Sequence, residues 1–275
     1  MDFPLYHGAS YKILGIDAAD SDGTDLTCTT LNVKGSWVSL GTIPAGVVAF
    51  DVIVHKSDGS AFLIDLAAGP AYNIVAPNVY IRRRTNHVAC VFRIPIQLPA
   101  GQTLYARCQS AASAKVVSVS VLCKVAGYTC ASALGIATDY GTETADTSAI
   151  TVDPGGTAHT KGSWTQIVAS TSRPIRQLLL MFGGAIEAGP PTPATPDRTY
   201  ESWLWDIGIG AATAEKIIIP NLGVVVSALA DALTEPVFGP FDVNIPAGTR
   251  ISARCQASLT DAIDRLLDLS ILGFD

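Results

Sequence analysis

The chain has 275 residues and a net charge of −6, with 48% apolar and 15% charged residues. That is material for one large domain or two ordinary ones. Charge is scarce against the roughly 25% of an average soluble protein, so there is more apolar surface than one isolated monomer needs to bury. No apolar run reaches the roughly 18 residues of a membrane span, and the acidic balance disfavours nucleic acid as a partner.

In chain order, the N-terminus Met1-Asp2-Phe3-Pro4-Leu5-Tyr6-His7 has no basic stretch leading into a long apolar run, so no secretory signal is expected. Short β-branched or alternating segments follow, from Tyr11 to Ile16, Leu26 to Val33, Val47 to Lys56, Ala61 to Ala68, Asn73 to Arg82, Val88 to Leu98, Thr103 to Gln109 and Val116 to Tyr128. With the short piece before Leu40 they make eight or nine strands, punctuated by Gly, Pro, Asn and Asp. The acidic turn Asp17 to Asp25 has a calcium-loop flavour, but Thr29 stands where an EF-hand needs glutamate. A solvated turn is the expectation, and no metal or cofactor is assigned.

Arg82, Arg83 and Arg84 form the one dense basic run. Guanidinium groups at that density suit a carboxylate-rich partner, such as an acidic neighbouring subunit. The six cysteines (Cys28, Cys90, Cys108, Cys123, Cys130 and Cys255) form no C-x-x-C pair or zinc spacing, and buried thiols are expected.

The second half repeats the first. Lys34-Gly35-Ser36-Trp37 returns as Lys161-Gly162-Ser163-Trp164, Leu63-Ile64-Asp65-Leu66 as Leu204-Trp205-Asp206-Ile207, and Pro77-Asn78 as Pro220-Asn221. Pro99-Ala100-Gly101 with Ala106-Arg107-Cys108-Gln109 returns, 147 residues on, as Pro246-Ala247-Gly248 with Ala253-Arg254-Cys255-Gln256. Gly127-Tyr128 pairs by identity with Gly273-Phe274. The order of these markers implies an internal duplication of domain size: residues 1–133 and 134–275, joined near 129–134. An all-β chain of two tandem jelly-roll-like β-sandwiches is the expected fold. The halves differ in charge, with 8 acidic and 10 basic side chains in the first and 16 and 8 in the second, which suits two surfaces meeting different neighbours. In the phrase around Cys108 and Cys255, both cysteines should be buried, with Arg107 and Arg254 on the opposite faces.

Two features invite a ligand. Trp203 and Trp205 share a strand face and could stack on a sugar, although their large apolar first-copy counterparts, Phe62 and Ile64, favour core packing without a ligand. Beside them the Pro- and Gly-rich insertion from Gly183 to Asp197 has the composition of a long exposed loop. Ser227 to Thr234 suits a short helix. Asp65 and Asp206 occupy one position in the two copies, too far apart in separate domains for one acid–base pair. No nucleophile elbow, H-x-x-x-H or phosphate loop is present, so no enzymatic activity is expected.

The repeated phrase and the tandem sandwiches resemble accessory virion proteins of tailed phages and of alphaproteobacterial gene transfer agents, of the head-spike-base or capsid-decoration kind. The resemblance implies a non-enzymatic homo-oligomer, such as a pentamer or trimer, assembled in the host cytoplasm and carried on the virion. Its partners would be itself, capsid or other virion proteins, and a fibre or host-surface glycan. A carbohydrate-binding adhesin is the alternative.

Overall fold

The computed structural model describes residues 11–58, 60–82, 90–125, 135–184, 202–225, 237–258 and 266–275. The first domain runs through β1 (Tyr11–Leu14), β2 (Ile16–Asp17), β3 (Asp22–Cys28), β4 (Val38–Thr42), β5 (Val47–Ser57), β6 (Ala61–Ala68), β7 (Asn73–Arg82), β8 (Cys90–Ile94), β9 (Thr103–Ser110) and β10 (Lys115–Val125). The second repeats it with β11 (Ala137–Tyr140), β12 (Thr142–Glu143), β13 (Ser148–Val152), β14 (Thr165–Val168), β15 (Ile175–Gly184), β16 (Ser202–Ile209), β17 (Lys216–Val225), β18 (Val237–Ile245), β19 (Ile251–Ala257) and β20 (Leu267–Phe274). The chain is all-β, and no described helix is long and apolar enough to cross a membrane.

In the first domain one sheet has the order β2-β3-β10-β5-β8, with β1 also on β10, and the other β4-β9-β6-β7. The second domain gives β12-β13-β20-β15-β18, with β11 on β20, and β14-β19-β16-β17. Setting aside the short leading strands, eight strands per domain lie in the two-sheet order of a jelly roll. Period-two patterning explains the inward faces. Leu104, Ala106 and Cys108 of β9, and Ile251, Ala253 and Cys255 of β19, point into their cores. The turns before both strands use glycine at positive φ, Gly101 at 77° and Gly248 at 78°, as Pro-Ala-Gly turns require.

Two strands are buried along their whole length, β6 and β20. The reason is a second layer of packing. The first domain's four-stranded sheet turns its outer face onto the outer face of the second domain's six-stranded sheet. Leu179, Met181, Leu272 and Phe274 therefore join the first domain's core cluster, while Leu178, Leu180, Phe182, Leu269 and Ile271 fill the second domain's own interior. The four sheets form one continuous stack, with a seam between the middle two.

The strand pairings correct one marker. Val121 pairs with Leu14 as Ile271 pairs with Tyr140, and Val119 pairs with Thr24 as Leu269 pairs with Ile150. The last strands are thus offset by 150 residues, and Lys124, not Tyr128, is the counterpart of Phe274. The cysteines also need correction: Cys28 and Cys108 are joined as a disulfide across the first core, Cα atoms 6.2 Å apart. Cys90, Cys123 and Cys255 are buried. Cys130, Tyr128, the junction and Ser227 to Thr234 lie outside the described residues.

Candidate functional site

The sequence markers of the duplication, scattered over each half, converge on one aspartate. In the first domain Asp65 of β6 accepts from Lys34 Nζ (2.8 Å), from Arg107 Nε of β9 (2.9 Å) and from the Asn78 N–H of β7 (2.9 Å). The Arg107 guanidinium lies 4.3 Å from the centre of the Trp37 ring. In the second domain Asp206 accepts from Lys161 Nζ (2.9 Å), Arg254 Nε (3.0 Å) and the Asn221 N–H (3.0 Å), and Arg254 sits 4.6 Å over Trp164. Each aspartate is nearly fully buried on the outer face of its four-stranded sheet. A carboxylate there needs this number of donors to offset lost hydration. Burial alone would raise the Asp206 pKa, but the Asn221 N–H and the Lys161 and Arg254 hydrogen bonds outweigh it and hold the carboxyl below its usual range. For Lys34 burial dominates and pushes the ammonium down, against the pull of Asp65. Three donors, two of them cationic, fill each carboxylate, so each aspartate serves as the cross-strand tie of its own domain.

The seam is the second site. Asp268 of β20, 1% exposed, accepts from the Tyr80 hydroxyl (2.9 Å), from Arg82 Nη1 (2.8 Å) and, on its other oxygen, from Thr151 Oγ1 (2.8 Å). Burial, then the Asp268 charge, pushes the Tyr80 hydroxyl well above its ordinary pKa, so it stays a donor. Gly183 makes the close approach possible: a Cβ there would lie 2.5 Å from the Tyr80 hydroxyl oxygen. Farther along, Asn78 Nδ2 donates to Asp139 (3.0 Å), Gln109 Nε2 donates to the Thr144 carbonyl (2.8 Å) and to Thr147 Oγ1 (2.9 Å), and Thr147 Oγ1 donates to Asn32 Oδ1 (2.8 Å). A cleft of about 480 Å³ opens beside these contacts, lined by Lys34, Asp65 and Arg107 together with the apolar Val33, Ile74 and Pro77.

At the rim of the first domain, Trp37 stacks on Tyr72 at 5.2 Å and Tyr105 meets Tyr72 edge-on at 5.0 Å. Tyr72 is 41% exposed. Trp37 was visible in the sequence only as a duplication marker. Its neighbours carry no repeat, since Thr213 and Ser252 stand at the matching places.

The expected site residues fare differently. Arg82 is spent within the chain on Asp268 and is not left for a neighbouring subunit; Arg83 and Arg84 lie outside the described residues. Trp203 and Trp205 are fully buried, with Trp205 edge-on to Phe182 at 4.9 Å. Their faces meet core side chains, so neither ring is open to a sugar. Most of the Gly183–Asp197 insertion lies outside the described residues. In the acidic turn, Asp22 and Asp25 both pair with Lys56 (2.7 and 3.5 Å).

No protein-family model matches this chain, and no curated protein is similar to it. Among solved structures, one similar to it is the N-terminal CBM22-1–CBM22-2 tandem domain of Paenibacillus barcinonensis Xyn10C. That match covers 97% of this chain and 92% of the other at 12% identity, with a TM-score of 0.26, a likeness too loose to bear on function.

Proposed function

We propose that the chain is a non-enzymatic structural subunit of a virion, a capsid-surface decoration or head-spike-base protein that works as a homo-oligomer. The observation behind this reading is the seam. Two jelly rolls are locked by a buried apolar face and by the Tyr80–Asp268–Arg82 contacts into one body with two distinct ends. A body of that kind attaches at one end and presents the other, and the unequal charge of the two domains suits ends with different neighbours. Particles purified on a density gradient from producing cells test it. The chain should band with the major capsid protein by mass spectrometry; recovery solely from the soluble fraction refutes the proposal.

A second reading, a glycan-binding module, draws support from exposed Tyr72 packed between the half-buried Trp37 and Tyr105, because amphipathic aromatics with one free edge suit mixed apolar and polar ligands. A glycan array decides it: specific signal lost in Tyr72→Ala favours this reading, and a silent array removes it.

A further inference from the structure

We infer that the outer face of the second domain's four-stranded sheet docks the outer face of the first domain's six-stranded sheet in a second copy of the chain, head to tail. The inference deepens the oligomer of the proposed function by naming its surfaces. The face that the first domain uses to hold the second exists twice. Once it is covered: Leu63 and Tyr80 are buried under the partner sheet. In the other copy it is open. Leu204, the counterpart of Leu63, is 38% exposed, and Val225 beside it is 46% exposed.

The matching face is reproduced in part: Asp51 and Lys124, a buried ion pair, stand in place of Leu179 and Phe274, while two apolar positions are kept. β10 and β5 run in the register of β20 and β15, so Leu122 and Ile53 stand where Leu272 and Met181 stand at the seam. Both are half-buried, on the outer side of the first six-stranded sheet.

The polar contacts repeat with them. Across the seam Gln109 bridges to the Thr144 carbonyl and Thr147, which in turn reaches Asn32. The equivalent groups are Gln256 and the exposed His159 beside the four-stranded face, and the exposed Ala18 and Ser21 beside the six-stranded one. Asn32 and His159 share a left-handed backbone (φ 56° and 59°) and donate the same backbone hydrogen bond, to Ser110 and Ala257. Thr147 and Ser21 likewise share positive φ, 52° and 59°. A second copy supplies the acceptor and hydroxyl for Gln256 and His159 in the geometry already realised inside the chain.

Charge favours the same order, since a first domain with two excess basic groups meets a second domain with eight excess acidic ones. The Tyr80–Asp268–Arg82 lock has no copy here, because Gly223, Ser118 and Val225 replace it. The contact between copies is therefore weaker than the seam and reversible. A heterologous contact of this kind propagates into a ring or an open file.

Sedimentation velocity over a concentration series tests it with two variants. Leu204→Arg/Gln256→Ala blocks the open four-stranded face, and Ile53→Arg/Ser21→Tyr blocks the six-stranded one; melting curves establish that each folds. Wild type should grow beyond a dimer as concentration rises. Each variant alone should weaken association at least tenfold, and an equimolar mixture of the two should stop at a 1:1 dimer. Wild type that stays monomeric, or an Ile53→Arg/Ser21→Tyr variant that dimerises by itself, overturns the inference. A monomer that still bands with particles would sink this contact and leave the virion role of the proposed function standing.

Discussion

Replacing Asp268 by alanine should weaken the molecule more than any other single change at the seam. The carboxylate is 1% exposed and takes three hydrogen bonds, from Tyr80, Arg82 and Thr151. Removing one member of a buried ion pair costs about 3–5 kcal/mol, because the remaining charge loses its partner without regaining water. Arg82 keeps 17% of its side chain exposed, so solvent recovers part of that. The Tyr80 hydroxyl is buried and left without an acceptor, at about 1–3 kcal/mol. The two losses overlap, and about 3–4 kcal/mol is the expected sum. For a chain of this size that lowers Tm by roughly 10 °C. Tyr80→Phe, which leaves Asp268 two donors, should lose only about 1 kcal/mol. Guanidinium unfolding followed by tryptophan fluorescence reads both. Wild type should unfold in one transition because the seam joins the cores, and Asp268→Ala should split it in two. A loss below about 1 kcal/mol, the worth of an exposed pair, with one transition retained, refutes the role given to the seam.

Other consequences can be measured on the same material. Gly183→Ala places a methyl against the buried Tyr80 ring and should cost about 1–3 kcal/mol by overpacking; a melt equal to wild type contradicts the packing described. Asp206 has its folded pKa held below the unfolded value, so its contribution is complete above the unfolded pKa and is lost as pH falls through the folded one. Acid unfolding of wild type should therefore steepen below pH about 4, and Asp206→Asn, less stable at neutral pH, should flatten that limb. Alkylation without reductant should leave Cys28 and Cys108 unmodified, and reduction should destabilise a loop of 80 residues by about 4 kcal/mol; labelling of both without reductant contradicts the pairing. Burial pushes the Cys123 thiol to about 11, so in the folded protein it should react far more slowly at pH 8 than after unfolding.

The fold was legible because its markers do the same physical task in both copies. Lys34, Trp37, Asp65, Asn78 and Arg107 recur as Lys161, Trp164, Asp206, Asn221 and Arg254, since loss of either cation takes a donor from a buried carboxylate, the tryptophan packs on the arginine, and asparagine suits the positive φ at that place. The Pro-Ala-Gly turns and the inward Cys108 and Cys255 followed from local chemistry. The seam was hidden for the opposite reason. Its polar lock and part of its apolar face exist in one copy only, Asp268 against Ser118 and Phe274 against Lys124, so comparison of the halves passes over them. The same divergence drew Gly127-Tyr128 onto Gly273-Phe274 by identity, four residues out of register. The Cys28–Cys108 disulfide was not read because the place of Cys28 in the second domain is held by Pro154. The tryptophans of β16 were ambiguous because alternation alone does not say which face of a strand is inward.

The aspartate ties also set an order of events in the history of the chain. A network present in both copies was present in the single jelly roll that was duplicated, and it already satisfied its own charges without a neighbour. Leu179, Phe274 and Asp268 of the seam have Asp51, Lys124 and Ser118 in their places in the first domain, so this difference arose after the duplication. The ancestral unit satisfied its own charges, and the present seam reflects later divergence of the two copies.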